Sequence, residues 1–311
     1  MTTKIVGLMA ARSEDWIIGL SLRAALEYCD AVLVYDHLSD DFTPRLVQEI
    51  AAQHPGRVEY LRDETPWWDE MDQRQKMLDK GRAMGGTHFV IVDADEVLTA
   101  NLLPRARSIV ESCPRGECLA LRMVAPYHSL KTRRVDWVWG YDSRLTWCFA
   151  DNGGLAWKSA IDGYQHHQRV PIGAPPRPEI PKDLESMSAG GVIHFQYITR
   201  RRLEEKTAFY KIMEIVRWPA RMSVADLNDK YDWTLREGGS GNPKDTPIDC
   251  HHIPGDWLSY YESRGWMKFL RPELESWQAR EARRLWAHYY PQFPDRFRGL
   301  KTYGVIPGAP A

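Results

Sequence analysis

The chain has 311 residues, a formal net charge of −1 at pH 7 and five scattered cysteines. This length can bury a large core, while the near-neutral charge gives no overall case for nucleic-acid binding. No apolar run approaches the roughly 20 residues that cross a bilayer, and the scattered cysteines favour reduced thiols in a cytosol. We therefore expect a cytoplasmic globular protein without a transmembrane segment.

The first hundred residues alternate between short apolar runs and amphipathic segments. The runs predict strands at 4–10, 31–35, 58–61 and 89–92, and the segments predict helices at 16–28, 44–53 and 69–84. This alternation is typical of a parallel sheet, and ligands bind such sheets where the carboxyl ends of the strands meet. The glycine-rich motifs of dinucleotide-binding dehydrogenases and P-loop proteins are both missing, so these two classes are disfavoured.

An acidic segment, Asp93-Ala94-Asp95, ends the fourth predicted strand. Positions i and i+2 of a straight strand point the same way, so the two carboxylates should face one side. Hard oxygen ligands grouped in this way suit Mg²⁺ or Mn²⁺, usually with a substrate phosphate in the shell. The alternative is a pair of solvated acids in a strand-to-loop turn.

Two stretches of the chain resemble one protein family. FVIVDADEVL, at 89–98, is similar to the metal-binding Asp-x-Asp segment of family-2-type glycosyltransferases with the A-type (GT-A) fold. GLMAARSEDWIIGLSLRAALEYCDAVLVYDHLSDDFT, at 7–43, is similar to the opening of bacterial members of that family. The resemblance implies an α/β fold, in which a Rossmann-like, nucleotide-binding mixed sheet is flanked by helices.

The resemblance also implies an order of functional regions along the chain. We expect a catalytic core at 1–218, with a nucleotide-sugar half to about 103 and an acceptor half from about 104. The remaining residues, 219–311, match the family weakly and include a Trp-rich predicted helix at 274–290. We expect them to form a C-terminal helical extension, with an acceptor-binding or oligomer surface as its possible use.

Residues at the predicted donor site follow from the same resemblance. The nucleotide-sugar contacts carry over to Ala10, Arg12, Glu14, Asp36, Asp63, Arg74, Asp93 and Ala94. The metal ion, Mn²⁺ or Mg²⁺, is assigned to Asp95, Asp93 and His194, with Asp95 as the more direct ligand. Asp93 is expected to reach the ribose, or the metal through water.

Several of these assignments have structural alternatives. Asp36 and Asp40 are also suited to turn-forming hydrogen bonds, and Arg74 to a solvated helix face. His194, in the segment GGVIHFQYITRRRLEEKTAFY, could instead be a core histidine on a strand predicted at 191–195. The arginine and lysine residues of the helix predicted at 199–217 could meet a diphosphate or simply solvate the helix start.

The middle of the chain is predicted less sharply. A helix at 104–111 and a strand at 118–124 precede a region of interleaved aromatic and basic residues, which could form an acceptor groove or ordinary core. The resemblance assigns the general base to Asp162, with His166 and His167 as competing bases. The proline-rich stretch at 170–191 is long enough for a lid over the donor.

These expectations together predict a metal-dependent, inverting glycosyltransferase. It would move a sugar from a nucleotide-sugar, with UDP-sugar favoured, to a hydroxyl of an acceptor that the sequence does not identify. Glycans, proteins, lipids, small molecules and modified DNA bases all stay open as acceptors, and the oligomeric state stays open too. A nucleotidyltransferase and a nucleotide-sugar-binding module without turnover are the alternatives, because fold does not fix function.

Overall fold

The computed structural model describes residues 2–66, 69–135, 144–157, 169–232, 235 and 249–309. The strands are β1 Ile5–Ala11, β2 Ala31–His37, β3 Val58–Asp63, β4 His88–Ile91, β5 Glu96–Leu98, β6 Cys118–Val124, β7 Thr132–Arg134, β8 Arg144–Ala150, β9 Val192–His194 and β10 Cys250–His252. The α-helices are α1 Ile18–Leu26, α2 Thr43–Gln53, α3 Glu70–Ala83, α4 Leu103–Glu111, α5 Arg200–Arg217, α6 Val224–Asp232, α7 Ser259–Ser263 and α8 Trp277–Tyr289.

Eight of the strands form one mixed sheet in the order β3-β2-β1-β4-β8-β6-β9-β5. The first four along this order pair in parallel, and β8 then joins β4 and β6 in antiparallel fashion. The short strands β7 and β10 form a separate antiparallel pair. The predicted α/β fold with a mixed sheet flanked by helices is confirmed, because the crossover helices α1, α2 and α3 return the chain to parallel neighbours.

Side chains of β1 alternate between two apolar layers. Ile5 and Met9 pack with Ile18 of α1 on one face of the sheet. Val6 and Leu8 pack on the other face, in the cluster that holds residues of α3. A strand that is buried on both faces has a continuous apolar run in its sequence. This is the pattern from which β1 was predicted, and the prediction is confirmed.

Two parts of the fold differ from the sequence expectations. Strand β8 was not predicted, because it lies in the region of interleaved aromatic and basic residues that was left open between an acceptor groove and ordinary core, yet it occupies the centre of the sheet. The second half of the proline-rich stretch is packed rather than available as a lid. Ile180 and Leu184 lie in the core, and the backbone of Glu179 accepts a hydrogen bond from Ala120 of β6.

The predicted C-terminal extension packs in two separate places. Trp257 and Tyr261 lie in a cluster with Trp16 and Ile17 beside α1. Helix α8 packs instead on α5, with Trp277 in the same cluster as Phe209. The helix predicted at 274–290 is thereby confirmed, whereas the domain boundary near 218 stays a prediction. No helix in the described parts of the chain has both the length and the apolar character to cross a bilayer.

Candidate donor-binding site

A cavity opens where the carboxyl ends of β1, β2 and β4 meet, as the strand–helix alternation predicts. Eight of the predicted site residues line it: Ala10, Arg12, Glu14, Arg74, Asp93, Ala94, Asp95 and His194. Lys206, from the basic cluster predicted on the helix at 199–217, also lines it, and the structure adds residues that the sequence did not indicate, including His37, Arg169, Tyr210, Trp277 and Gln278. The two predicted donor contacts Asp36 and Asp63 are not among the lining residues.

The acidic segment continues the pairing between β1 and β4. The backbone N–H of Ala94 donates to the carbonyl oxygen of Ala10 at 3.1 Å, and the Ala94 side chain is buried. Asp93 and Asp95 flank it, and their side chains keep 27% and 17% of their surface exposed. Both carboxylates therefore line the cavity. They do so from a turn, in which the backbone N–H of Glu96 donates to the carbonyl oxygen of Asp93 at 2.9 Å, and not from the straight strand that the i, i+2 spacing assumed.

Asp93 is held by two guanidinium groups. Arg169 Nη1 donates to Asp93 Oδ2 at 2.8 Å, and Arg74 Nη2 lies 3.5 Å from the same carboxylate. Arg169 also makes two hydrogen bonds to the buried carboxylate of Glu96, at 2.7 and 2.8 Å. Arg74 in turn binds Glu70 at 2.6 Å. The alternative of a solvated helix charge is wrong for Arg74, since its side chain is only 4% exposed.

Arg169 was not predicted as a site residue, because the residues around it in the sequence do not show that it pairs with Glu96 and Asp93, which are 73 and 76 positions away. Burial alone would lower the pKa of its guanidinium, but the charges of Glu96 and Asp93 raise it. Burial raises the pKa of Glu96, against the lowering effect of Arg169. Arg169 therefore remains a fixed positive charge beneath the acidic segment.

Asp95 and His194 form a second pair at the cavity. Asp95 Oδ2 lies 3.2 Å from His194 Nε2. Burial would raise the pKa of Asp95, but His194 and then Lys206 hold it well below its usual value. His194 Nδ1 is buried and has no hydrogen-bond partner among the described residues. Nε2 is therefore the ring nitrogen that faces the site.

The basic start of α5 contributes only one charge to the cavity lining. Lys206 lies there, hydrogen-bonded to Gln196. Arg200 and Arg201 pair with glutamates one turn further along the helix. The Arg202 guanidinium instead lies over the Trp16 ring, 3.5 Å from its centre. Of the predicted basic cluster, Lys206 is thus the residue placed to meet an anionic ligand.

Glu14 lines the cavity near enough to Asp95 to feel its charge. Burial, followed by the negative charge of Asp95, raises the pKa of Glu14 to about 8. Its carboxyl group accepts a hydrogen bond from the Trp16 indole. Glu14 is therefore largely protonated near neutral pH, and it can both donate and accept a hydrogen bond.

Asp36 and Asp63 make contacts within the protein. Asp36 is fully buried and accepts hydrogen bonds from Tyr60, Arg62 and the backbone of Ser39. Asp63 accepts from Tyr35, Thr65 and Lys76. Their roles as donor contacts stay predictions.

Asp40 accepts hydrogen bonds from Ser13 Oγ at 2.8 Å and from Arg280 at 2.6 Å, so the observed partners of its carboxylate come from the loop after β1 and from α8. The predicted base Asp162 and the competing His166 and His167 lie outside the described residues.

Divalent-metal binding can be tested against the atoms present. No group of three or more His, Cys, Asp or Glu side chains in the described part of the chain forms a metal cluster. In an octahedral metal site with metal–ligand distances of ~2.1 Å, adjacent ligand atoms lie about 3 Å apart. This separation is close to the 3.2 Å between Asp95 Oδ2 and His194 Nε2. The pair fits a cation whose shell is completed by substrate oxygens and water, and it does not form an all-protein site.

Comparisons with known proteins give only partial overlaps. No protein-family profile matches the chain, and no curated protein matches it. Solved structures with similar parts include S. aureus TarS 1–349 in complex with UDP-GlcNAc, 17% identical over 40% of this chain and 34% of that chain, with a TM-score of 0.31.

Two further structures show overlaps of the same kind. GalNAc-T7 with UDP, GalNAc and Mn²⁺ is 14% identical over 40% of this chain and 23% of that chain, with a TM-score of 0.32. The 4-diphosphocytidyl-2C-methyl-D-erythritol synthase of Anaerococcus prevotii is 10% identical over 48% of this chain and 70% of that chain, with a TM-score of 0.31. The chain thus spans less than half the length of the TarS structures that it matches. Identities and TM-scores at this level assign neither a family nor a substrate.

Proposed function

We propose that the protein is a metal-dependent glycosyltransferase that uses a nucleotide-sugar donor, with UDP-sugar favoured. The observation that carries the proposal is the cavity at the strand ends, where the Asp95–His194 pair, Lys206 and Arg12 line one space. A nucleoside diphosphate needs a cation and positive side chains for its phosphates, and a separate surface for its base. The family resemblance of segments 7–43 and 89–98 supports the same reading.

Asp95 and His194 are the residues that would hold Mn²⁺ or Mg²⁺, with Asp93 near them. A bound cation would supply positive charge beside the diphosphate, whose β-phosphate oxygen gains negative charge as its bond to the anomeric carbon breaks. Lys206, on α5, would bind a phosphate oxygen directly. Arg74 and Arg169 hold Asp93 in place, and they limit its freedom to move toward a cation.

The acceptor side of the reaction follows from the resemblance. A base takes the proton of the acceptor hydroxyl, the oxygen attacks the anomeric carbon, and the nucleoside diphosphate leaves from the opposite face, which gives inversion. Asp162 is the proposed base, with His166 and His167 as competitors.

The first experiment measures thermal stabilisation of the purified protein by UDP, GDP, CMP and their sugars, with and without Mn²⁺. A ligand at 100 times its Kd stabilises the folded state by about 2.7 kcal/mol, which is readily measured. We expect one nucleotide-sugar to stabilise the protein in the presence of metal, and Asp95→Asn to lose this effect. Asp183→Asn is the matched control, because Asp183 is an exposed aspartate paired with Arg105 away from the cavity.

A second assay separates the alternatives. Release of the nucleoside diphosphate from the stabilising nucleotide-sugar supports a glycosyltransferase, because transfer or slow hydrolysis both break the glycosidic bond. Pyrophosphate release from a nucleoside triphosphate and a sugar phosphate identifies a nucleotidyltransferase instead. Stabilisation without either product indicates a binding module. No stabilisation by any nucleotide contradicts the proposed function.

A further inference from the structure

The C-terminal helix α8 borders one end of the cavity. Trp277 and Gln278 line it together with Arg12, from the end of β1, and His37, from the end of β2. From the sequence, α8 is expected in a C-terminal extension with an acceptor-binding or oligomer surface. In the structure, α8 contributes to the wall of the cavity that Asp95 and His194 also line.

Arg12 is fixed from three directions at this end. Its guanidinium carbon lies 4.6 Å from the centre of the Trp277 ring. One terminal nitrogen lies 3.7 Å from Glu281 Oε2, and the other lies 3.4 Å from His37 Nδ1. A flat guanidinium over a Trp face in this range is a favourable cation–π contact.

The protonation of His37 follows from its second contact. His37 Nε2 lies 2.8 Å from the carbonyl oxygen of Thr65, which can only accept a hydrogen bond. Nε2 therefore carries the proton, and Nδ1 is the acceptor that faces Arg12. Burial, followed by the charge of Arg12, lowers the pKa of His37, so the ring stays neutral.

A further ion pair ties α8 to the loop after β2. Arg280 Nη2 donates to Asp40 Oδ1 at 2.6 Å, and Ser13 Oγ donates to the same carboxylate oxygen at 2.8 Å. On its inner side, Trp277 packs edge-on against Phe209 of α5, with ring centres 4.9 Å apart. Helix α8 is thus anchored both to the core and to the two loops that border the cavity.

We propose that α8 completes the donor site, and that Arg12, backed by Trp277 and oriented by Glu281, is the platform on which the nucleobase of the donor stacks. This inference rests on the proposed function and names the part of the donor that this end of the cavity binds. The Arg12 guanidinium lies over the Trp277 ring and also lines the cavity, so a planar base that enters the cavity can stack on it. Because Arg12 is already packed on Trp277 and lies beside the Glu281 carboxylate and the His37 ring, little conformational entropy is lost when the base binds.

Trp277 and Glu281 act through Arg12 and are positioning residues. The test measures the affinity of UDP and of inorganic pyrophosphate, each with Mn²⁺, by titration calorimetry on the full chain. Pyrophosphate has no base, so it reports the metal and phosphate end alone. We expect Glu281→Gln and Trp277→Leu to weaken UDP binding about tenfold while pyrophosphate binding changes less than twofold.

Conservative and control variants make the result specific. Trp277→Phe keeps a flat ring behind Arg12 and should recover most of the UDP affinity that Trp277→Leu loses. Arg283→Gln is the matched control on the same helix, because Arg283 pairs with Glu275 at 2.8 Å and does not line the cavity. It should bind both ligands like the unmodified protein.

The outcomes separate this inference from the proposed function. If Asp95→Asn loses both ligands while Glu281→Gln and Trp277→Leu bind UDP normally, α8 has no part in base binding and the proposed function stands. Equal loss of UDP and pyrophosphate in Glu281→Gln also overturns the inference, because a base platform cannot affect a ligand that has no base. If the unmodified protein binds neither UDP nor any other nucleotide, the proposed function is wrong, and the inference that rests on it is wrong with it.

Discussion

Asp95 Oδ2 and His194 Nε2 lie 3.2 Å apart although 99 positions separate the two residues in the chain. Strand pairing brings them together. Glu96 and His194 are direct partners in the antiparallel pair β5–β9, and the backbone N–H of Phe195 donates to the carbonyl oxygen of Asp95 at 2.9 Å. The spacing of the two side chains is therefore fixed by backbone hydrogen bonds rather than by the side chains themselves.

The first prediction concerns His194 as a metal ligand. Replacing His194 with Ala should weaken Mn²⁺ binding in the presence of UDP at least tenfold, about 1.4 kcal/mol, because one of two protein ligands is lost. Calorimetric titration of Mn²⁺ into the protein with saturating UDP measures this. His288→Ala, at an exposed position on α8, is the control. Unchanged Mn²⁺ affinity in His194→Ala would remove His194 from the proposed site.

The second prediction concerns the buried ion pair beneath the acidic segment. Arg169→Met leaves Glu96, whose side chain is only 1% exposed, without its charge partner. Removing one member of a buried pair costs about 3–5 kcal/mol of unfolding free energy, and urea unfolding measures it. Arg105→Met should cost less than about 1 kcal/mol, because Arg105 and Asp183 are both more than half exposed.

A double variant checks the cause of that loss. If the cost comes from an uncompensated carboxylate, Arg169→Met combined with Glu96→Gln should recover part of the lost stability. A loss below about 1 kcal/mol in Arg169→Met alone would mean that Glu96 takes up a proton or reaches water when Arg169 is absent.

The third prediction concerns the pH dependence that Glu14 causes. Its pKa is about 8 in the folded protein and about 4.3 in an unfolded chain. Between these values the folded state keeps a proton that the unfolded state releases, so stability falls as pH rises through this window. Glu14→Gln removes the effect, and its advantage over the unmodified protein should grow from less than about 1 kcal/mol at pH 4.5 to about 4 kcal/mol at pH 8.

Urea unfolding at several pH values between 4.5 and 8 measures the difference. Glu111→Gln, at an exposed position near the end of α4, supplies the comparison. A stability difference between Glu14→Gln and the unmodified protein that does not change with pH would show that the Glu14 carboxyl is ionised in the folded state.

The fourth prediction concerns the close approach of β9 to β6. A Cβ atom added at Gly191 would lie 2.0 Å from the carbonyl oxygen of Arg122, which is backbone of β6 and cannot move aside cheaply. Gly191→Ala should therefore destabilise the protein by about 2–3 kcal/mol. Gly255→Ala is the control, because nothing lies within 4 Å of its added Cβ. Equal unfolding free energies for the two variants would contradict this account.

The first half of the sheet could be predicted because its determinants are local. Buried parallel strands are continuous apolar runs, and amphipathic helices alternate with them. The elements β1 to β4 and α1 to α3 can therefore be predicted in order from the sequence. The acidic segment after β4 was predictable for the same reason. Strand β8 was not, because its place between β4 and β6 depends on pairing with strands that are distant in the sequence.

The residues of the candidate site show the same division between local and long-range determinants. The sequence by itself determined which residues end the strands, and therefore that Ala10, Arg12, Asp93 and Asp95 share one edge of the sheet. Only the tertiary structure decided which charges meet. With 41 basic and 42 acidic side chains, the sequence allows a great many ion pairs of similar local quality. Arg169 pairs with Glu96, and α8 contacts Arg12, because tertiary packing brings together segments that are distant in the sequence. Local secondary-structure propensity contains no information about that packing.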